Sequence, residues 1–340
     1  MNQAKEPTAN QLRQLYSAAA AFRRAEPWQT FYDSDLIGVE NPIDKTIGYC
    51  SVMGKSGQHF ALGVFLGEAG LFGFAELMGR GEISDSQVMY HLNHLMCSFE
   101  DRGLLDKKDH EVIKGLGLTF RGKKGWPLFR HYEEGFLPWY LSAEHCSFLT
   151  MALQQTLQVT EDYRRGRLKL DFEQGTTVLR RCKEDNGILR WVSEEFKVRI
   201  PLLSYSPLQF RNELFLQRLK KVHRNTAFVL QAETCYLPLT VQEETDEKPY
   251  FPRAFFLADG ASGMILDYSM YRRAKDDVEQ VLNGLQDLFL EKGIPRQIQV
   301  RPGKMAAILE DFCEKADVDL KIVPDLPLIE EFIRGIAGQL

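Results

Sequence analysis

Apolar residues first recur at helical spacing between residues 8 and 25. Leu12, Leu15, Tyr16, Ala19 and Phe22 share one face there, and Pro27 closes the run. Three short apolar stretches follow, at about 30–40, 46–53 and 59–66, and read as strands. Gly54-Lys55-Ser56-Gly57 turns the chain between the second and the third. Helices are expected at 68–79, 84–95 and 106–116, with a strand at 96–101. Residues 118–140 read as strand and loop, interrupted by Pro127 and Pro138. A long helix is predicted from its N-cap Ser142 to about Arg165. Residues 176–200 read as a hairpin, because Asn186-Gly187 readily takes the positive φ angles of a tight turn. Pro201 and Pro207 mark a linker. A short basic helix follows at 211–223, with Arg211, Arg218, Lys220, Lys221, His223 and Arg224 in or beside it.

The pattern then becomes strand, strand, strand, helix, strand, helix, strand, helix. Residues 226–241 are strand-rich, and 242–248 (QEETDEK) read as a solvated acidic loop. RAFFLAD at 253–259 is a buried strand, Gly260 to Gly263 turns the chain, and 264–271 returns as its hairpin partner. Asp276 followed by Glu279 has capping-box spacing. Val278, Val281, Leu282, Leu285, Leu288 and Phe289 then make one stripe, stopped by Gly293 and Pro295. A strand at 297–300, a helix at 303–316, a strand through Val318, Leu320 and Ile322, and a final helix after Pro324 and Pro327 complete the chain. The expected organisation is an α+β domain at 1–165, a hairpin and linker helix at 166–224, and an α/β domain at 225–340.

Composition narrows the class. The 340 residues are 44% hydrophobic and 26% charged, as in soluble globular chains of two domains. No apolar run approaches the length of a membrane span, and the N-terminus lacks an apolar signal region, so a cytoplasmic protein is expected. Six scattered cysteines without a Cys-x-x-Cys pair argue against a disulfide scaffold and a zinc ribbon. A net charge of −5 gives no global attraction to nucleic acid or anionic lipid, although it leaves room for a local basic patch.

The run FFLADGASGMIL at 255–266 resembles the second and third strands of retroviral-type integrase and transposase cores, and GIPRQI at 293–298 resembles the entry to their fourth strand. The resemblance implies a ribonuclease-H-like fold over about 226–340. In that family, carboxylates at the strand ends hold two metal ions. The first-strand acid has no counterpart in TCYLPLTV at 234–241, with only Glu233 nearby. The acid after the fourth strand is replaced by Arg301, and the last helix offers Glu330 and Glu331. The resemblance therefore implies a core without its catalytic acids. The whole chain also resembles a bacterial family of paired domains of unknown function, through YDSD at 32–35, GYCSVMG at 48–54 and WPLFR at 126–130.

Other constellations invite chemistry. Gly54-Lys55-Ser56 lacks the P-loop's first glycine, since Tyr49 stands there, and it joins two strands; a hairpin turn is the preferred reading. His91, His94 and Cys97 do not converge on a helix, and polar or capping roles are preferred to a metal site. His145 beside Cys146 is no catalytic pair by adjacency, because successive helical side chains diverge. Asp33, Asp35 and Asp44 suit turns and caps better than a cation site. The richest stretch is 121–140, where Lys123, Lys124, Arg130 and His131 interleave with Trp126 and Trp139. Its aromatics are read as core with a basic rim, and it is the preferred surface for a partner.

These features favour a non-catalytic binding or scaffolding protein with a macromolecular partner, no cofactor and no membrane association. A metal-dependent hydrolase or nuclease would need Asp259, Asp267 and Glu330 or Glu331 to converge. Nucleic-acid binding without cleavage would rest on Lys123, Lys124 and Arg130.

Overall fold

The computed structural model describes residues 5–79, 85–185, 188–200, 205–244 and 248–337. It is a mixed α/β chain with two sheets, each in its own compact unit. The first unit comprises Met1–Gly81, His91–Glu134 and Pro138–Pro201; the second comprises Glu82–Tyr90, Gly135–Leu137 and Leu202–Leu340.

In the first unit, β1 (Ile37–Glu40), β2 (Ile47–Met53), β3 (Ala61–Leu66), β4 (His94–Glu100), β5 (Trp126–Tyr132), β6 (Thr176–Asp185) and β7 (Ile188–Lys197) form a sheet in the order β5-β4-β3-β2-β1-β6-β7. Neighbours are antiparallel except β1 and β6, which are parallel. The central strands are buried on both faces, which explains why their sequences run apolar instead of alternating. Against one face pack α1 (Ala9–Ala25) and α5 (Ala143–Arg164), through Leu15, Phe22, Phe148, Leu149 and Leu153. On the other, Leu71 and Phe74 of α2 (Gly67–Leu77) meet Tyr49 and Phe65. Gly70 permits that approach: a Cβ there would lie 2.5 Å from the Phe65 carbonyl carbon and 2.7 Å from the Asn93 oxygen. Thr8 caps α1 in a full capping box with Gln11, and Ser142 caps α5 by accepting from the His145 N–H. Asp106 caps α4 (Lys107–Gly115).

The helix expected at 84–95 shrinks to α3 (Asp85–Val88) and a 3-10 turn at Met89–His91, and β4 already begins at His94. Pairing of β4 with β3 and β5 overrides the local helical spacing. The first strand shortens to four residues because Asp35 accepts from the Tyr32 N–H and turns the chain before Ile37. Residues 176–197, placed on sequence in a separate 166–224 segment, lie in the first sheet. Asn186-Gly187 falls outside the described residues.

In the second unit, β8 (Arg224–Tyr236), β9 (Arg253–Asp259), β10 (Ile265–Tyr271), β11 (Ile294–Val300) and β12 (Asp319–Ile322) are ordered β10-β9-β8-β11-β12. The β8-β9-β10 meander is antiparallel, whereas β11 joins β8 and β12 in parallel. One core gathers α6 (Glu213–Leu219), α7 (Asp277–Lys292) and α8 (Lys304–Ala316) through Phe215, Leu285, Phe289, Leu309 and Phe312. A second core sets α9 (Pro327–Ala337) against Phe256 and Ala258 through Ile329. The strand expected at 297–300 begins earlier, at Ile294, and a bulge between Pro295 and Gln297 accommodates the proline. Within this unit, Gln87 exchanges hydrogen bonds of 3.1 and 2.8 Å with the Tyr236 backbone.

Candidate functional site

The densest charged cluster lies within the second unit. Glu233, on β8, is buried, and its Oε1 accepts the Thr234 N–H at 2.9 Å. Arg301, immediately after β11, points Nη1 at Glu233 Oε2, 3.6 Å away, and its Nη2 donates to Glu330 Oε1 on α9. The guanidinium is thus set between two carboxylates carried by the first strand of this sheet and by the last helix.

A second knot adjoins it. Asp277, the first residue of α7, has a wholly buried side chain. Arg253, on β9, donates to it through Nε at 2.7 Å and Nη2 at 2.6 Å. Lys304, opening α8, reaches Asp277 Oδ2 at 2.6 Å, and the Tyr271 hydroxyl donates to Oδ1 at 2.6 Å. The Arg253 guanidinium also lies 4.5 Å above the Tyr236 ring. Three carboxyl groups (Glu233, Asp277, Glu330) therefore meet three cations (Arg253, Arg301, Lys304).

The balance is uneven within the cluster. Burial pushes the Glu233 carboxyl up to about 7; Arg301, the Thr234 N–H and Arg253 pull it back down, and Asp277 opposes them. Burial also raises the Tyr271 hydroxyl, and Asp277 adds to the effect. Burial works against the charge on Arg253, but its hydrogen-bonded contact with Asp277 prevails and raises its pKa. The cluster ties β8, β9, β11, α7, α8 and α9 together and holds the Glu233 carboxyl near 7. It does not fit a divalent cation: the space between Glu233 and Glu330 is taken by a guanidinium, and Asp277 is saturated by two cations and a hydroxyl.

Of the acids expected on sequence to gather a metal, Glu330 alone joins this cluster. Asp259 closes its own turn, accepting from the Ala261 and Ser262 N–H groups and the Ser262 hydroxyl. Asp267 is exposed on β10 and accepts the Tyr268 N–H, and Glu331 is exposed on α9. Glu233, expected only to lie near an acid-free first strand, stands within β8 itself; its signal is a lone carboxyl inside an apolar strand. The capping box expected at Asp276 is absent, since its side chain makes no cap bond. The neighbouring Asp277 is drawn inward to Arg253 instead.

In the first unit, the 121–140 segment makes largely internal contacts. Arg130 donates to both carboxylate oxygens of Asp109 and to Asp106, and lies 4.7 Å from the Tyr140 ring. Lys124 donates its N–H to Asp101 and its ammonium to the Gln58 carbonyl. Trp126 packs against the first core beside Phe120 and His110, with Arg102 over its ring. His131 and Trp139 exchange backbone hydrogen bonds of 2.7 and 2.9 Å, and the His131 ring lies 4.1 Å from that of His145. Lys123 is exposed.

The remaining candidates separate. Gly54 to Gly57 connects β2 to β3. His94 is buried with neither ring nitrogen hydrogen-bonded, stacked 4.2 Å from Tyr132, and burial lowers its pKa to about 3. Cys146 is buried, which pushes its thiol up to about 11. Asp33, Asp35 and Asp44 each accept a nearby backbone N–H. Among the described residues, no group of three or more His, Cys, Asp or Glu side chains is arranged to hold a metal.

A comparison with curated proteins found no match. Among solved structures, a similarity links about a third of the chain to integrase cores. The magnesium-bound HTLV-2 integrase catalytic core domain, in its trimeric form, is 14% identical and covers 34% of this chain and 69% of that one, with a TM-score of 0.25. Its dimeric form is 15% identical over 35% and 72%, with a TM-score of 0.24. The simian T-cell lymphotropic virus intasome in complex with PP2A regulatory subunit B56 gamma is 18% identical over 35% and 42%, with a TM-score of 0.24. Residues 13–180 match the family model described as Domain of unknown function (DUF7309), and residues 215–337 match Domain of unknown function (DUF6930), so the chain pairs two such domains.

Proposed function

We propose that this chain is a non-catalytic binding or scaffolding protein, and that its second unit is a ribonuclease-H-like core whose metal centre has become an arginine-centred ion-pair knot. The observation that carries the reading is the position of Arg301 between Glu233 and Glu330. Strand-end nuclease chemistry needs anionic oxygens to gather divalent ions around the scissile phosphate. A guanidinium between the carboxylates neutralises them and repels the ion. The meander followed by parallel strands supports the same reading. A bacterial, cytoplasmic setting goes with it. Six free cysteines suit a reducing compartment, and among the described residues no helix is long and apolar enough to cross a membrane.

The test is a cleavage assay. Purified protein is incubated with labelled single- and double-stranded DNA and RNA in magnesium or manganese, and its melting is followed in the same buffers. Intact substrates and a melting temperature indifferent to the metal are expected. Metal-dependent strand scission would restore the nuclease reading. Nucleic-acid binding through Lys123, Lys124 and Arg130 is the weaker reading, because Arg130 and Lys124 are engaged internally.

A further inference from the structure

The basic stretch that precedes β8 takes no part in the ion-pair knot. Helix α6 ends at Leu219, and Arg218, Lys220, Lys221 and His223 are all exposed. Strand β8 then begins at Arg224, which pairs with Ile294 of β11, while Asn225 pairs with Pro295. The next residue of β11, Arg296, is exposed too. Cations from two chain segments therefore collect where β8 and β11 begin. Glu233 is nine residues further along β8, roughly 30 Å at ~3.3 Å per residue, so the knot and this strip lie at opposite ends of the sheet.

The charges here are not consumed by the fold. Among the described residues, Arg218, Lys220, Lys221 and Arg296 have no side-chain hydrogen bond or ion pair. Their neighbours do: Arg224 binds Asp317 and the Ala316 carbonyl, and Lys292 pairs with Glu291. The cleft beside the strip carries Glu314, Asp317 and Asp319, of which Asp317 is held by Arg224 and Asp319 by Gln297. Asn225 and Thr226 are exposed beside the cations, and the Asn225 side-chain oxygen is occupied by the Ala227 N–H, which leaves its amide nitrogen to donate outward.

The geometry points to a binding surface for a nucleic-acid phosphate backbone at Arg218, Lys220, Lys221 and Arg296. Protein partners are anchored by buried aromatic and apolar side chains. Over 211–226 only Leu214 is a large exposed apolar residue, and no exposed aromatic offers a platform for bases. Point cations flanked by amide and hydroxyl donors match phosphate oxygens instead, and the contact would be indifferent to sequence. This surface goes beyond the reading of the knot and holds whether or not the knot binds metal.

The test uses the full chain and a fluorescent 20-nucleotide RNA strand or 20-base-pair DNA duplex, followed by anisotropy between 50 and 200 mM salt. About four phosphate contacts predict a slope of log affinity against log salt near −3 for the strand and somewhat steeper for the duplex. The variant R218Q/K220Q/K221Q/R296Q should lose at least about tenfold in affinity and flatten the slope. K220R/K221R should bind as the wild type does, and K123Q should leave binding unchanged. If the fourfold variant melts lower, the pair R218Q/K220Q serves in its place and should lose about half of the slope. The proposal is overturned by no binding at 50 mM salt, by binding that survives the substitutions, or by an acidic peptide of equal length that competes as well as the oligonucleotides. It is also overturned if the cations serve only to neutralise the carbonyl end of α6, in which case melting falls while binding stays put.

Discussion

Arg253 grips Asp277 with two parallel hydrogen bonds, of 2.7 and 2.6 Å, at a point where the aspartate side chain has no solvent exposure and the arginine 4%. That pair locks the meander to the first turn of α7. Removing one partner strands the other charge in a low-dielectric site, so Asp277→Ala should cost about 3–5 kcal/mol. Lys304 and Tyr271 lose their acceptor in the same variant. Urea titration of wild type and variant measures the effect. A cost below about 1 kcal/mol would mean that water reaches the cluster.

Two buried groups should tilt stability in opposite directions with pH. Glu233 titrates near 7 when folded against an ordinary value of 4.5, so its folded form favours the proton. It contributes stability below about 4.5, and that contribution is lost as the pH rises through about 7. His94 is the reverse case, held neutral down to about 3 against an ordinary 6.5. Its contribution is complete above 6.5 and falls away below, by at most about 1.4 kcal/mol for each pH unit. Glu233→Gln should remove the loss of stability that accompanies a rise from about pH 4.5 to 7, and His94→Phe, which preserves stacking on Tyr132 and Phe65, should remove the loss that accompanies a fall from about pH 6.5 to 3. Parallel profiles for wild type and variants would show that neither group is held in the stated protonation state.

Trp126 separates a packed ring from an exposed platform. Its contacts with Phe120, His110 and Arg102 put it on the first core without burying it completely. Trp126→Ala should therefore cost about 2–3 kcal/mol, less than the 3–5 of a fully buried large aromatic. Lys123→Gln, at an exposed position, should leave melting unchanged. Unaltered melting in the tryptophan variant would instead identify the ring as a free surface.

Local pattern carried most of the elements. The strand at Arg253–Asp259 was readable at both ends because a continuous apolar run between a loop and a glycine turn has few alternatives. The α7 stripe from Val281 to Phe289 is buried as its spacing implies. What escaped were consequences of distance along the chain. Nothing in residues 176–185 announces that β6 will lie parallel to β1, whose partner residues come 141 positions earlier. The helix expected at 84–95 stops short, because β3 and β5 claim its last two residues, His94 and Leu95, for the sheet. The site divides in the same way. Arg301 stood out because a strand-end acid was expected there, and Glu330 was a candidate. Glu233, Arg253, Asp277 and Lys304 become a cluster only when four elements meet, and a one-dimensional pattern records charges without their partners.

The position of Arg301 makes a direct prediction about metal. Arg301→Asp would remove the cation that lowers the Glu233 pKa and would add a third carboxylate beside Glu233 and Glu330. In a chelating buffer its melting temperature should fall by several degrees, because three acids then repel one another in a buried site. Manganese should restore much of that loss, since a ligand at a hundredfold its Kd stabilises the folded state by about 2.7 kcal/mol. Wild type should not respond. Arg301→Ala, which removes the cation without supplying a third acid, should melt lower and recover less. A manganese-dependent rise equal in wild type and Arg301→Asp would locate metal binding elsewhere. No rise in Arg301→Asp would mean that the carboxylates are held too far apart to share an ion, and that the knot serves only to fasten α9 to the sheet.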